Sequence, residues 1–465
     1  MARKKFELEE LFLEDISSDG RAVGKHDGKA VFVKDLVPGD KARVRVFRKR
    51  KSYLEAESLE ILEPSSDRIE ASCAHFDQCG GCKWQNLSYE RLLALKGQHV
   101  KSGFKKIAHW EPEEYEEILP APKTYAYRNK LEYTFSNKRW LSYEEIQSGT
   151  EFEHRNALGF HVAGKFDKVI DIENCLLQGD QENNIRNGIR RVCLEEKLSF
   201  YDIRENHGLM RNLIIRNNQL GELMVIVVFG EDDRENIQKV MEHLRDNFDI
   251  RSLNYVVNLK KNDSISDQKV VTFSGTGFLM EHLLDLNFRI HPKSFFQTNF
   301  TQTASLYQIG LEYAQLSKDD VLYDLYCGTG TIGLSAASKV KKVVGVEYVE
   351  AAVEDAWENA EINGIANAYF EAGDLKDVLT DEFAEKHGRP SVIMIDPPRA
   401  GMHADVVEQV RKLNADRIVY ISCNPATQAR DLDLLKEAYH FRKSRAVDMF
   451  PQTSHIENVV LLERK

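Results

Sequence analysis

The sequence predicts a multidomain α/β chain: a small N-terminal β-barrel of the OB type, a central α+β domain that carries a cysteine cluster, and a C-terminal Rossmann-like domain. Three observations predict it. Short strand-like runs broken by glycine and proline fill residues 1–63. Cys73, Cys79 and Cys82 crowd into ten residues near the start of a central stretch, residues 64–290, whose signals are mostly β from about residue 118 on. Over residues 291–465 apolar strands alternate with helix-length segments, the pattern of a parallel sheet covered on both faces.

Composition narrows the function classes. With 465 residues, 42% hydrophobic and 29% charged, the chain is an ordinary globular one with ample core. Its longest wholly apolar run, Leu223 to Phe229, is far short of the ~18–20 residues that cross a bilayer, so no membrane partner is expected. No apolar segment follows the basic residues at the N-terminus, which argues against a cleaved secretion signal. Seven cysteines, an odd count too sparse for a disulfide scaffold, suit a reducing, cytoplasmic compartment. A net charge of −11 predicts no bulk attraction to nucleic acid. Locally, Arg43, Arg45, Arg48, Lys49, Arg50 and Lys51 form a basic stripe without an acid. Such a stripe reads equally as a phosphate-binding face or as a strand edge kept soluble by charge.

In the first domain, Ala30 to Val33, Lys41 to Phe47 and Ser52 to Leu62 read as strands, and Gly20, Gly24, Gly28 and Pro38-Gly39-Asp40 punctuate them. Five or so such strands fit a partly open barrel of a type that commonly binds oligonucleotides. Pro64-Ser65-Ser66 reads as a linker. Ser88 to Phe104 reads as a helix capped by Ser88, with Leu92, Leu93, Leu95 and Val100 apolar. Helices are also expected over 180–198, 232–247 and 301–316, among strands such as Leu131 to Phe135, Leu213 to Arg216 and Gly221 to Phe229.

In the cysteine cluster, Gly80 and Gly81 let the backbone turn tightly around a metal centre. Cys175, after a strand-like segment, is the best fourth ligand. On count alone four cysteines suit zinc and an iron–sulfur cluster equally. Cys193 and Cys327 read as small buried hydrophobes.

The C-terminal domain carries the chemistry. Gly328-x-Gly330-x-x-Gly333 follows the strand Val321 to Tyr326 and opens a helix, and Glu347 ends the next strand, ~20 residues on. That pairing holds a ribose-bearing cofactor and does not choose between NAD and S-adenosylmethionine. Asp396-Pro-Pro-Arg399 and Ser422-Cys-Asn-Pro425 end two successive core strands, at the sheet edge where ligands bind. Cys423 precedes a helix N-terminus and is placed for a lowered thiol pKa. A thiolate beside a methyl donor has a specific use. Carbon 5 of uracil becomes nucleophilic when a thiolate adds to carbon 6, and a base must then remove the carbon 5 proton. Glu457, just before the final strand, is the candidate base.

These motifs resemble those of the RNA uridine-5-methyltransferases, which modify ribosomal and transfer RNA. Phe295-Phe-Gln297-Thr-Asn299, Asp324-Leu-Tyr-Cys-Gly328, Asp396-Pro-Pro-Arg399, Ser422-Cys-Asn-Pro425 and His455-Ile-Glu457 occur in that family's order and spacing. The resemblance runs along nearly the whole chain. It implies Cys423 as nucleophile, Glu457 as base, and S-adenosylmethionine contacts at Gln297, Tyr326, Glu347 and Asp396. Asp374 is implied on the adenine side, with Gly328, Gly330 and Thr331 in the turn; Thr331 stands where some relatives have asparagine. Asp396 is also implied to orient the uracil. The N-terminal barrel resembles a TRAM domain, an RNA-binding barrel, which favours an RNA role for the basic stripe. Barrel and cysteine cluster together resemble the branch acting on 23S ribosomal RNA and imply a 4Fe–4S cluster on Cys73, Cys79, Cys82 and Cys175. Transfer RNA is the alternative substrate, and no obligate protein partner is expected.

Three rival readings fit less well. A radical S-adenosylmethionine enzyme carries Cys-x3-Cys-x2-Cys on a barrel, whereas this chain has Cys-x5-Cys-x2-Cys ahead of a Rossmann-like domain. An amino-group methyltransferase has no use for Cys423. A non-catalytic RNA-binding relative is expected to have lost Cys423 or Glu457.

Overall fold

The computed structural model describes residues 5–17 and 19–465. β1 (Phe6–Ile16), β2 (Ala22–His26), β3 (Lys29–Val33), β4 (Lys41–Lys49) and β5 (Tyr53–Glu63) close into a barrel in the order β1-β2-β3-β5-β4. Leu11, Leu13, Val31, Val33, Val44 and Leu54 fill it. Outward-facing arginines of the basic stripe meet acids on flanking strands: Arg43 pairs with Glu7 and Glu60, Arg45 with Glu7 and Glu57, and Arg48 with Glu55. Much of the stripe is therefore one half of a charge lattice. The expected linker at residues 64–66 is pinned rather than free, because the Ser65 N–H donates to the fully buried Asp40 at 2.9 Å.

α1 (Tyr89–Gly103) leads out of the cysteine region. Ser88 sits at its N-cap position, but its side chain makes no cap bond. Leu92 and Leu95 belong to the barrel core, while Val100 and the following Phe104 belong to the C-terminal core. One helix thus joins two cores.

β6 (Glu114–Tyr115), β7 (Lys130–Ser136), α2 (Tyr143–Gln147), β8 (Ala157–His161), β9 (Val169–Asp171), α3 (Asp180–Glu195), β10 (Met210–Asn217), β11 (Leu223–Phe229), α4 (Arg234–Asn247), β12 (Ser252–Val257) and β13 (Val271–Gly275) follow. All these strands except β6 form a seven-stranded sheet, β13-β12-β11-β10-β7-β8-β9. Ile185 and Ile189 of α3 and Val240 and Leu244 of α4 pack into its core.

A hairpin, β14 (Leu279–Leu283) with β15 (Leu286–Ile290), precedes α5 (Phe300–Ala314). Then come β16 (Val321–Leu325), α6 (Thr331–Ala336), β17 (Lys342–Glu347), α7 (Glu350–Ile362), β18 (Ala368–Ala372), α8 (Leu375–Val378), α9 (Asp381–His387) and β19 (Val392–Ile395). α10 (Ala404–Leu413), β20 (Arg417–Ser422), α11 (Pro425–Leu435), β21 (Tyr439–Val447) and β22 (Glu457–Arg464) complete the chain. The eight-stranded order β18-β17-β16-β19-β20-β22-β21-β6 places the switch point between β16 and β19, where open α/β sheets bind ligands. β22 inserts antiparallel beside β20 with Ser422 opposite Asn458, so the start of one strand lies against the end of the other. Among the described residues, no helix is long and apolar enough to cross a membrane.

Candidate functional site

After β16 the chain turns through Tyr326, Gly328 and Gly330, all at positive φ. That backbone is strained for a residue with a side chain and easy for glycine. Open space lies where a side chain at Gly328 would project, whereas a Cβ at Gly333 would come within 2.8 Å of Asp324. Glu347 accepts from the Gly328 N–H at 3.2 Å and, through its other oxygen, from the Val349 N–H at 2.9 Å. Asp324 accepts from the Gly333 N–H at 2.8 Å, and its second oxygen is buried without a protein partner. Burial lifts the Asp324 carboxyl to about 7. An open glycine turn, a fixed carboxylate and an unfilled acceptor fit a ribose-bearing cofactor.

The remaining predicted contacts gather around the same turn. Gly373 donates its N–H to the Glu347 carbonyl at 2.9 Å, and the adjacent Asp374 caps α8. Gln297 is buried, its carbonyl taken by Asn129 at 2.9 Å. Tyr307 of α5, buried beside Gln297 and Thr331, has its hydroxyl pKa raised by burial and then by the charges of Asp396 and Asp324. Sequence reasoning passed over Tyr307, whose place in an apolar helical stretch looks like ordinary core.

Cys423 lies between the end of β20 and Asn424, the N-cap of α11, whose side chain accepts from the Ala426 N–H at 3.1 Å. Asn424 and Thr427 both donate to the Arg399 carbonyl, at 3.0 and 3.2 Å, which ties the Asp396–Arg399 loop to the cysteine turn. The β20–β22 register brings Glu457 to the same edge. Behind it, buried Gln428, Asn458 and Ser444 interlock through hydrogen bonds of 2.9 to 3.1 Å, a rigid backing for the strand ends.

The expected lowering of the Cys423 thiol does not occur: its pKa is raised to about 11. Burial is the main cause and the Glu457 charge adds to it, while Arg399 pulls the other way. Glu457, 3% exposed, is pushed well above the carboxylate range by burial and then by Asp396, against the pull of Arg399. Burial also raises Asp396 to about 7. His455, whose Nε2 lies 3.4 Å from the Arg399 guanidinium, is lowered to about 4 by burial and by the Arg399, Lys96 and Arg128 charges. Cys423 and Glu457, both resistant to ionisation, thus feel the same guanidinium and the same Asp396 carboxyl. Such an arrangement favours one anion at a time and suits sequential proton movements.

Cys73, Cys79, Cys82 and Cys175 line one cavity of about 360 Å³. Asn183 holds Cys175 by accepting from its N–H at 2.8 Å and donating to its carbonyl at 3.2 Å. Burial pushes the Cys79 thiol up to about 11 and Cys82 to about 12, and the neighbouring cysteines raise both further. Cys175 moves the same way. Such thiols stay neutral until a cation joins them, and a metal ion reverses that balance. Among the described residues, the group whose ligand atoms lie within 4.8 Å of one another is instead His291, Asp355 and Glu358. There Arg289 already pairs with Glu358.

A doubly wound sheet with a nucleotide turn, a thiol and a carboxyl at its ligand edge, and an oligonucleotide-type barrel define a nucleotide-cofactor transferase built to hold nucleic acid. Residues 217–465 match the tRNA (Uracil-5-)-methyltransferase family and residues 3–59 the TRAM domain. The chain is 47% identical over 452 residues to an uncharacterized RNA methyltransferase of Bacteroides thetaiotaomicron, covering 96% of this chain and all of that one. It is 46% identical over 460 residues to another from Porphyromonas gingivalis, covering 97% and 99%. Among solved structures, the Pyrococcus abyssi tRNA (uracil-54, C5)-methyltransferase in complex with S-adenosyl-L-homocysteine aligns with a TM-score of 0.74 at 28% identity, covering 97% of this chain and 99% of that one. The chain belongs to the RNA (uracil-5-)-methyltransferase family: an S-adenosylmethionine-dependent enzyme that acts on RNA.

Proposed function

We propose that the chain methylates carbon 5 of a uridine in 23S ribosomal RNA through a covalent bond between Cys423 and carbon 6 of the base. The observation that carries the residue roles is the meeting of Cys423 and Glu457 at the β20–β22 edge, with Asp396 and Arg399 beside them. Bound S-adenosylmethionine supplies an electrophilic methyl group. Gln297, Tyr326, Gly328, Gly330, Thr331, Glu347, Asp374 and Asp396 form its cradle. The Cys423 thiol gives its proton to water, the thiolate adds to carbon 6, and the displaced electron pair makes carbon 5 an enolate nucleophile that takes the methyl group. Glu457 then removes the carbon 5 proton. The C–H electron pair restores the double bond, and the sulfur leaves with its own pair. A carboxylate with a raised pKa is the better base for such a proton.

The ribosomal assignment rests on the pairing of a TRAM barrel with four cysteines. Within the basic stripe we assign RNA contact to Arg50 and Lys51, exposed at the β4–β5 tip, since Arg43, Arg45 and Arg48 are engaged by glutamates. Transfer RNA is the second reading. It is favoured by the Pyrococcus abyssi tRNA enzyme, which aligns over 97% of this chain. Purified enzyme given unmodified transcripts of both RNAs decides between them. 5-Methyluridine mapped in the 23S transcript is the expected result, and methylation confined to transfer RNA overturns the assignment.

The four cysteines also fit a 4Fe–4S cluster. Zn–S bonds of ~2.3 Å draw the thiolates of a zinc site to within about 3.8 Å of one another. No three of these sulfurs meet even the 4.8 Å spacing of the His291 group. A broad cavity lined by thiols suits a polynuclear centre, and methyl transfer requires no electron from it. The role we assign is folding and RNA placement. Anaerobically purified protein is expected to be brown and to contain iron and sulfide. Cys79→Ser should lose the iron, stability and RNA affinity yet keep S-adenosylmethionine binding. Stoichiometric zinc contradicts the cluster identity, and an iron-free variant with unchanged stability and RNA binding contradicts the role.

A further inference from the structure

Residues 448–456 join β21 to β22, contain His455 and lead directly into Glu457. The segment is mostly buried and has no helix or strand of its own. Its four consecutive carbonyls from Met449 to Gln452 are each taken by a different part of the chain. Asn299 donates to Met449 at 3.0 Å, Lys96 to Phe450 at 3.1 Å and the Tyr127 hydroxyl to Pro451 at 2.9 Å. The backbone N–H groups of Lys83 and Trp84, next to Cys82, donate to Gln452 at 2.8 and 3.1 Å. Gln452 itself sits at φ 65°, a conformation that costs a non-glycine residue energy and persists only when its surroundings impose it. The segment is a strap tied down from the N-cap of α5, from α1, from the central domain and from the cysteine loop.

The strongest tie is fully buried. The Lys96 ammonium donates to Asp448 at 2.7 Å, and the Tyr89 hydroxyl donates to the other Asp448 oxygen at 2.9 Å. Neither Lys96 nor Asp448 has any exposure. A buried ion pair is a poor stability device, since an apolar pair of similar volume is often as stable or more so. What it provides is placement. One ammonium holds two points of the strap, and the Asp448 carboxylate also accepts from the Phe450 N–H at 3.2 Å.

We propose that Lys96 and Asp448 are positioning residues for proton abstraction, holding the strap so that Glu457 meets carbon 5 of the methylated uracil. This rests on the reading of Glu457 as the base. Both side chains are fully buried and out of reach of a bound RNA, so their loss should slow the release step and spare the steps before it. Full-length Lys96→Met is the test, with unmodified 23S and transfer RNA transcripts as probes. S-Adenosylmethionine affinity and the KM for RNA should stay within about threefold of wild type, kcat should fall at least about tenfold, and a methylated enzyme–RNA adduct should accumulate on ordinary RNA. Tyr89→Phe keeps the ion pair, removes one hydroxyl, and decides the matter where Lys96→Met does not fold. It should lengthen the adduct lifetime by about two- to fivefold.

An unchanged adduct lifetime in the folded variant overturns the inference, as does a fall in kcat with no adduct. Glu457→Gln run beside them separates the two claims. If it accumulates adduct and the strap variants do not, the positioning role fails and the base stands. If none does, the base assignment fails and the positioning role falls with it.

Discussion

Cys423→Ala abolishes methyl transfer, with an expected loss on the order of 10⁴-fold or more, and leaves S-adenosylmethionine binding within a few-fold of wild type. Without the sulfur no adduct forms at carbon 6, and carbon 5 keeps the low nucleophilicity of a conjugated alkene. The Asn424 cap and the Glu347–Gly328 contact do not depend on the thiol, so the fold and the cofactor turn survive. Transfer of labelled methyl to RNA, together with calorimetric titration of the cofactor, checks both halves. Activity above about one-hundredth of wild type excludes Cys423 as the obligatory nucleophile.

Glu457→Gln stalls one step later. Attack and methylation proceed, elimination does not, and a covalent enzyme–RNA species accumulates on ordinary RNA as a band resistant to denaturant. In the wild type, release should accelerate as pH rises through the raised pKa of Glu457, because only the carboxylate accepts the proton. The stability effect has the opposite sense. The unfolded chain gives up this proton near 4.5, the folded chain only well above that, so between those values the unfolded state holds fewer protons and wild-type stability falls as pH rises. Glutamine mimics the neutral acid. The variant should therefore match the wild type at acid pH and exceed its stability at neutral and alkaline pH. Wild-type release rates in Glu457→Gln would move the base role to another group.

What the sequence made legible is what lies close together along it. The Gly328–Gly333 turn, the strand ends at Asp396 and Ser422 and the alternation of strands with helices all depend on near neighbours. Structure was needed wherever partners are distant. Arg45 meets Glu7 across 38 residues, so a run free of acids looked like an unneutralised stripe. Lys96 and Asp448 are 352 residues apart, and neither stands out in its own segment. β21 has polar residues scattered through it and was passed over, which hid the strap between it and β22. The thiol of Cys423 reads as acidic when only its helix is considered, and as resistant to ionisation once its burial, and then the Glu457 and Asp396 charges, are counted.

Covalent capture on RNA carrying 5-fluorouridine in place of uridine tests the central claim most directly. Fluorine cannot leave carbon 5 as a proton does, so the enzyme should halt after methyl transfer with the base bound to sulfur. Digestion and mass spectrometry should then find the methylated fluorouridine adduct on the peptide containing Cys423. Methylation of ordinary RNA at full rate, with no protein–RNA species on the fluorinated RNA or with the adduct on a different residue, contradicts it.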